Sequence, residues 1–171
     1  MNTNNRLILK QPSEEDFQRY FEINSDPKTN LFNPNGSMTY EDAKSIYKTL
    51  LEHWKTHQFG VWKIYEASYP NYVIGFGGLS FRQYNTEQKL NLGFRFDTAA
   101  WGKGYATELG QRAIQFGFNT LHQTEIFGLV RPTNKASLKV LEKCGMKTYG
   151  TLDDVPNEAH SIVYKIEQNE I

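Results

Sequence analysis

The stretch from Leu90 to Leu121 constrains the fold more than any other part of the chain. Leu90, Leu92, Phe94 and Phe96 alternate with Asn91, Gly93 and Arg95, the period of a strand with one buried face. Tyr105 to Leu121 is amphipathic at helical spacing, with Leu109, Ala113, Ile114 and Phe116 on its apolar side. Between them runs Asp97-Thr98-Ala99-Ala100-Trp101-Gly102-Lys103-Gly104, so two glycines and a lysine stand where a strand hands over to a helix. Glycines there let the backbone approach a ligand closely. The first N–H groups of the helix, together with its dipole, form an anion site. The expected occupant is a phosphorylated ligand.

The remaining chain reads as elements around that turn. Arg6 to Lys10 is a short strand, and Ser13 with Asp16 caps a helix carrying Phe17, Tyr20, Phe21 and Asn24. Asp26-Pro27 ends it, and the Asn-, Pro- and Gly-rich segment from Asn30 to Met38 is a loop. Thr39 opens a second helix whose stripe is Ala43, Ile46, Tyr47, Leu50, Leu51 and Trp54, with Glu41 and Asp42 suiting its dipole. Phe59 to Tyr65 and Tyr72 to Phe81 are strands separated by Ser68 to Asn71. After a turn at Asn85 to Gln88, the Leu90 strand completes an antiparallel meander. Glu125 to Val130 is the next strand. Pro132-Thr133-Asn134 starts a helix with Ser137, Val140, Leu141 and Cys144 inward and Gly145 as its stop. Met146 to Gly150 and His160 to Ile166 are the last strands, joined through Asp153-Asp154, and the tail from Glu167 frays. The order β-α-α-β-β-β-α-β-α-β-β predicts an α+β or mixed α/β domain spanning residues 1–171.

Composition narrows the function classes. Lys+Arg and Asp+Glu are 19 each, so no overall field attracts nucleic acid or an anionic membrane. Cys144 is the single cysteine, which excludes an intrachain disulfide and a cysteine-based zinc site. The start at Met1 to Arg6 lacks an apolar signal core, and no apolar run approaches the roughly 20 residues of a membrane span. These features predict a cytoplasmic protein without membrane or nucleic-acid partners; a homodimer is compatible with them. His53 and His57 are four apart on a helix, but Trp54 stands where a zinc-protease motif needs Glu, so they read as a solvent-facing pair and no metal is expected.

The glycine turn has three rival readings. A P-loop needs Gly-x-x-x-x-Gly-Lys-Ser/Thr, which neither Gly75-Phe76-Gly77-Gly78 nor Gly102-Lys103-Gly104 provides. A dinucleotide fingerprint needs a third glycine where Thr107 stands, and a parallel unit where this chain has a meander. The third pattern fits. Trp101-Gly102-Lys103-Gly104-Tyr105-Ala106-Thr107-Glu108 resembles the strand-to-helix turn of the GNAT superfamily of N-acetyltransferases, in the form found in the branch of ribosomal-protein N-terminal acetyltransferases. The run from Asn134 to Met146, with Ser137 and Glu142-Lys143-Cys144-Gly145, resembles the same branch, as does Arg6-Leu7-Ile8-Leu9.

The resemblance implies a GNAT-like fold: a central mixed, mostly antiparallel sheet of about seven strands with about four helices, splayed between the fourth and fifth strands. It implies transfer of an acetyl group from acetyl-CoA to a primary amine, either a protein N-terminus or a small molecule, without metal. By the same resemblance the pyrophosphate lies on Gly102, Lys103, Gly104, Tyr105, Ala106 and Thr107, and the pantetheine arm pairs with the main chain at Phe94, Arg95 and Phe96, where a bulge would splay the strands. Asn134 is the matching cofactor contact and also a helix cap. Two positions depart from the family. Leu141 occupies the place of a tyrosine acid, leaving Ser137 as the replacement, either in catalysis or as a CoA contact; its bland alternative is a bond back to the Thr133 carbonyl. Asn91 stands near the place of a glutamate and cannot act as a base; Glu108 is a weak substitute because it suits the helix dipole. A CoA-binding sensor without catalysis is the alternative these departures raise.

Overall fold

The computed structural model describes residues 5–170, so the polar start at residues 1–4 and the final Ile171 lie outside it. In chain order the elements are β1 (Leu7–Lys10), α1 (Phe17–Ser25), α2 (Tyr40–His57), β2 (Val61–Glu66), β3 (Tyr69–Tyr84), β4 (Glu87–Phe96), α3 (Tyr105–Asn119), β5 (Glu125–Val130), α4 (Lys135–Lys143), β6 (Lys147–Leu152) and β7 (Ser161–Glu167). They form a 7-stranded sheet in the order β1-β2-β3-β4-β5-β7-β6. The ladder between β4 and β5 is parallel and the others are antiparallel. This is the expected mixed α/β architecture. No helix among the described residues is long and apolar enough to cross a membrane.

Local chemistry sets the boundaries. Asp16 accepts from the Ser13 N–H at 2.7 Å and its hydroxyl at 3.0 Å, closing the turn that leads into α1. The Thr39 hydroxyl accepts from the Asp42 N–H at 3.1 Å and starts α2. β3 runs further at both ends than its apolar alternation suggested. Asn85, at φ +53°, lets the chain reverse within a tight turn, so the ladder continues to Tyr84↔Glu87. At the C-terminus, Gln168–Glu170 forms a short 3-10 turn, and Glu170 takes the Lys147 ammonium at 2.6 Å; this end is tethered where fraying was expected.

The two faces of the sheet are covered differently. α1 and α2 pack Tyr20, Ile23, Ala43 and Tyr47 onto Val73 and Phe76. α3 and α4 cover the opposite face, where Ala113, Ile114, Phe118 and Leu141 meet Leu79, Leu90, Leu92 and Ile126. Each fully buried aliphatic or aromatic side chain contributes roughly 1.5–3 kcal/mol, so this packing, more than helix propensity, fixes where α3 lies. Phe116 is only partly buried, against Trp62, and Phe118 takes the core position instead. Gly77 is a close-packing position: a Cβ there would stand 2.5 Å from Leu109 Cδ2. Beside Gly75 the β2–β3 register also shifts, between Ile64 and Tyr65.

Candidate active site

The β4–β5 ladder consists of Asn91↔Phe127 and Leu92↔Gly128 alone, after which the strands diverge. Along its other edge β4 stays in register with β3 from Tyr84↔Glu87 to Gly75↔Phe96. The splay therefore opens without the expected bulge in β4. Asp97 N donates to the Ile74 carbonyl at 2.9 Å, so the odd-numbered backbone groups of β4 turn to β3. Those of Phe94 and Phe96 turn to the splay. The Trp101 indole N–H donates to the Phe96 carbonyl at 3.1 Å, and Phe94 keeps its main-chain groups free of a strand partner.

Past β4, Gly102 and Gly104 hold φ +74° and +79°, a region open to glycine and strained for other residues. A Cβ on Gly102 would meet nothing within 4 Å, so the backbone angle demands glycine there, and packing does not. The N–H groups from Gly102 to Thr107 have no hydrogen-bond partner among the described residues; the first repaid donor is Glu108 N, to the Gly104 carbonyl at 3.1 Å. A continuous run of outward N–H groups at the start of a 15-residue helix is a ready anion cradle. Lys103 leans away, its ammonium 3.8 Å from Glu66. Glu108 is committed elsewhere: Arg6 Nε reaches one carboxylate oxygen at 2.9 Å and Leu7 N–H the other at 3.1 Å, which ties β1 to α3. That role removes Glu108 as a free base.

A cavity of ≈ 520 Å³ passes through the splay, a size that suits a small-molecule ligand. Asn91, Gly93 and Arg95 line it from the α1–α2 face; Leu92, Phe94, Val130, Asn134, Ser137 and Leu141 line it from the other. It thus brings together Phe94, Arg95, Asn134 and Ser137. The Gly102–Thr107 run stands outside it, at the end of β4, and Phe96 and Tyr105 bury their side chains in the core, leaving only main chain for a ligand. Asn134 Oδ1 accepts from Ser137 N at 3.1 Å, the expected cap of α4. The Ser137 hydroxyl makes no bond back to Thr133 and has no partner among the described residues, so it is free toward the cavity. Asn91 is buried, and its Oδ1 takes the Tyr84 hydroxyl at 2.6 Å; burial pushes that phenol up to about 12.

A second cavity of ≈ 380 Å³ lies under α1 and α2 and shares Arg82, Gly93, Phe94 and Arg95 with the first. Ile46, assigned by its spacing to the core, is 47% exposed and lines this cavity instead. His53 is no solvent-facing residue. Its Nδ1 lies 2.9 Å from the Phe59 carbonyl, and its Nε2 accepts the Phe81 N–H at 3.1 Å, which fixes a neutral tautomer; burial lowers its pKa. No group of three or more metal-ligating side chains occurs among the described residues. Cys144 is buried under Gly110, its thiol pushed up to about 11 by desolvation, and is structural.

Spacing alone did not find Asn30. Its Nδ2 donates to the carbonyls of Asn24 at 2.7 Å and Asp26 at 2.8 Å, and its Oδ1 accepts from Arg95 Nη1 at 2.8 Å. A polar residue in an Asn-rich loop carries no periodic signal, so only the fold reveals that contact.

The comparisons agree with this geometry. The family model described as "Acetyltransferase (GNAT) domain" matches residues 6–147. The chain is 28% identical to the uncharacterized N-acetyltransferase YnaD of Bacillus subtilis over 149 residues, covering 86% of this chain and 83% of that protein. An acetyltransferase (GNAT family) from Bacillus anthracis superposes with a TM-score of 0.77 at 24% identity, covering 96% of each chain. A spermidine N-acetyltransferase from Vibrio cholerae, in complex with CoA and spermine, superposes with a TM-score of 0.75 at 18% identity, covering 98% of each. The splayed sheet, the bare N–H run and the match over most of the chain have one explanation: the chain belongs to the GNAT acetyltransferase family and is an acetyl-CoA-dependent acyltransferase.

Proposed function

We propose that this protein transfers an acetyl group from acetyl-CoA to a primary amine by direct attack in the splay. The observation that carries the reading is the unpartnered N–H run from Gly102 to Thr107 beside an open β4–β5 gap. That run suits a pyrophosphate, and the free main chain of Phe94 suits a pantetheine arm lying as an added strand, whereas the Arg95 backbone faces β3 and the Phe96 carbonyl is held by the Trp101 indole. Asn134 and Ser137 approach the same arm from α4. The neutral amine attacks the thioester carbon, the C–N bond forms, the C–S bond breaks, and the amine's proton ultimately neutralises the thiolate. The Phe94 N–H meets the charge that gathers on the carbonyl oxygen. The Ser137 hydroxyl donates to the departing sulfur, since Leu141 cannot.

The acceptor is a protein N-terminus, as the resemblance to the ribosomal-protein N-terminal branch suggests, or a small-molecule amine. The CoA and spermine bound by the Vibrio cholerae protein support the small-molecule class; a cytoplasmic setting, where acetyl-CoA is available, is part of the same proposal. Leu141 and the occupied Asn91 favour a second reading, a CoA-binding sensor without turnover. Thiol release from acetyl-CoA, measured against a panel of amines and peptide N-termini, separates the two. Acceptor-dependent release is expected; tight CoA binding with a silent broad panel would favour the sensor.

A further inference from the structure

The two cavities meet at β4, and their charge is one-sided. Arg82 and Arg95 line both, Arg131 and Asp154 line the first, and Asp154 is the acidic side chain among the residues lining either. Arg131 is already paired: Nη1 lies 3.5 Å from Asp154, and its other bonds go to Ser161 and the Ala159 carbonyl. Arg82 and Arg95 have no carboxylate within ion-pair distance among the described residues. Arg95 is partly buried, and desolvation lowers its pKa. Its fixed partner is the neutral Asn30 Oδ1, an orienting contact that leaves the charge intact. Nε and Nη2 of Arg95 remain without a partner among the described residues. Tyr20, whose hydroxyl is likewise unpartnered, lines the second cavity beside it.

The desolvated guanidinium of Arg95 is costly unless an anion meets it, and arginine's planar fork suits a carboxylate. A polycationic acceptor would have to enter this cavity against two cations with one paired carboxylate as its counter-charge. The pyrophosphate cradle does not answer the arginines, because Arg95 and Arg82 share the α1–α2 face while α3 covers the other. We propose that the acceptor is a small amine that also carries a carboxylate, held by Arg95 with its amine turned into the splay, while Arg82, opposite Lys89 and further along the ladder, adds to the positive field. This rests on the transferase reading and narrows its substrate class. The same field has a second effect. A nearby positive charge disfavours an ammonium and so lowers the pKa of the bound amine, which supplies neutral nucleophile where Asn91 replaces a base.

The test measures thiol release with L-leucine, L-methionine and L-phenylalanine, with the amide of each, with an N-terminally free peptide amide, and with spermidine and kanamycin. The free acids are expected to exceed their amides by about tenfold or more in kcat/KM, the scale of one charge-assisted hydrogen bond. This preference would hold even though the amide's amine is less basic. Arg95→Met is expected to bring that ratio close to one. Arg82→Gln, at an exposed position that tolerates change, is expected to lower it severalfold, with melting temperature as the control for folding. Turnover that favours the amides, the peptide, spermidine or kanamycin would overturn the carboxylate while leaving the transferase intact. So would a ratio unchanged in both folded variants. A panel silent throughout would remove the transferase reading and this proposal with it.

Discussion

At Asn91 the residue type and its surroundings say different things, and the surroundings decide. Its position near an expected base invites a catalytic reading, but its Oδ1 holds the buried Tyr84 hydroxyl at 2.6 Å. Asn91→Ala is expected to destabilise the protein by about 1–3 kcal/mol, because a buried donor loses its partner. Urea denaturation reads this directly, and a change below about 0.5 kcal/mol would mean that water replaces the amide. Ser137 is the converse case. Its helix position predicted an inward serine, and the hydroxyl is free in the cavity. Ser137→Ala should lower kcat/KM for acetyl-CoA about tenfold, with the shape of the pH profile kept, since a serine does not titrate in that range. A wild-type rate would remove it from the site. Sequence could mark both residues, because strand and helix periodicity place them; it could not show which hydrogen bonds they make.

At the scale of the elements, the C-terminal half of α2 does more than cover the sheet. β2 begins at Val61, opposite Gly78, so the β3 edge beyond it lacks a strand partner among the described residues. His53 closes that edge at Phe81 while holding the Phe59 carbonyl, and both contacts require neutral imidazole with its proton on Nδ1. Because burial lowers the folded pKa below the ordinary value near 6.5, the unfolded chain binds the proton first as pH falls. The contribution is therefore complete above the ordinary value and is lost as pH drops through it toward the lowered one. Melting temperature measured from pH 7.5 to 5.5 should fall in the wild type and fall less in His53→Gln. Equal slopes would show that another group carries the pH dependence. The spacing of His53 and His57 suggested a surface pair because helix periodicity does not reveal that a short neighbouring strand leaves a backbone edge to be closed.

For the whole molecule, the narrow parallel ladder is the notable feature. The β1–β4 part of the sheet and the β5–β7–β6 part share two residue pairs, with α3 packed across them. A ligand that fills the gap binds the folded state only, so CoA at about 100 times its dissociation constant should stabilise by about 2.7 kcal/mol, a rise of roughly 5–10 °C in melting temperature. Gly104→Val should abolish that rise, since a β-branched residue is strained at φ +79° and a distorted turn loses its aligned N–H groups. A full rise in the variant would move the phosphate site elsewhere. By itself the sequence determined the order of elements and the glycine turn, because each is written in local periodicity or in backbone angles that only glycine adopts freely; the donor chemistry rested on the resemblance of Trp101 to Glu108 to the GNAT turn. The tertiary structure alone decided how far the strands diverge, which polar groups stay unpaired and where Asn30 meets Arg95. The last is a contact between residues 65 positions apart, and hydrogen bonds and desolvation act only once folding has closed such distances.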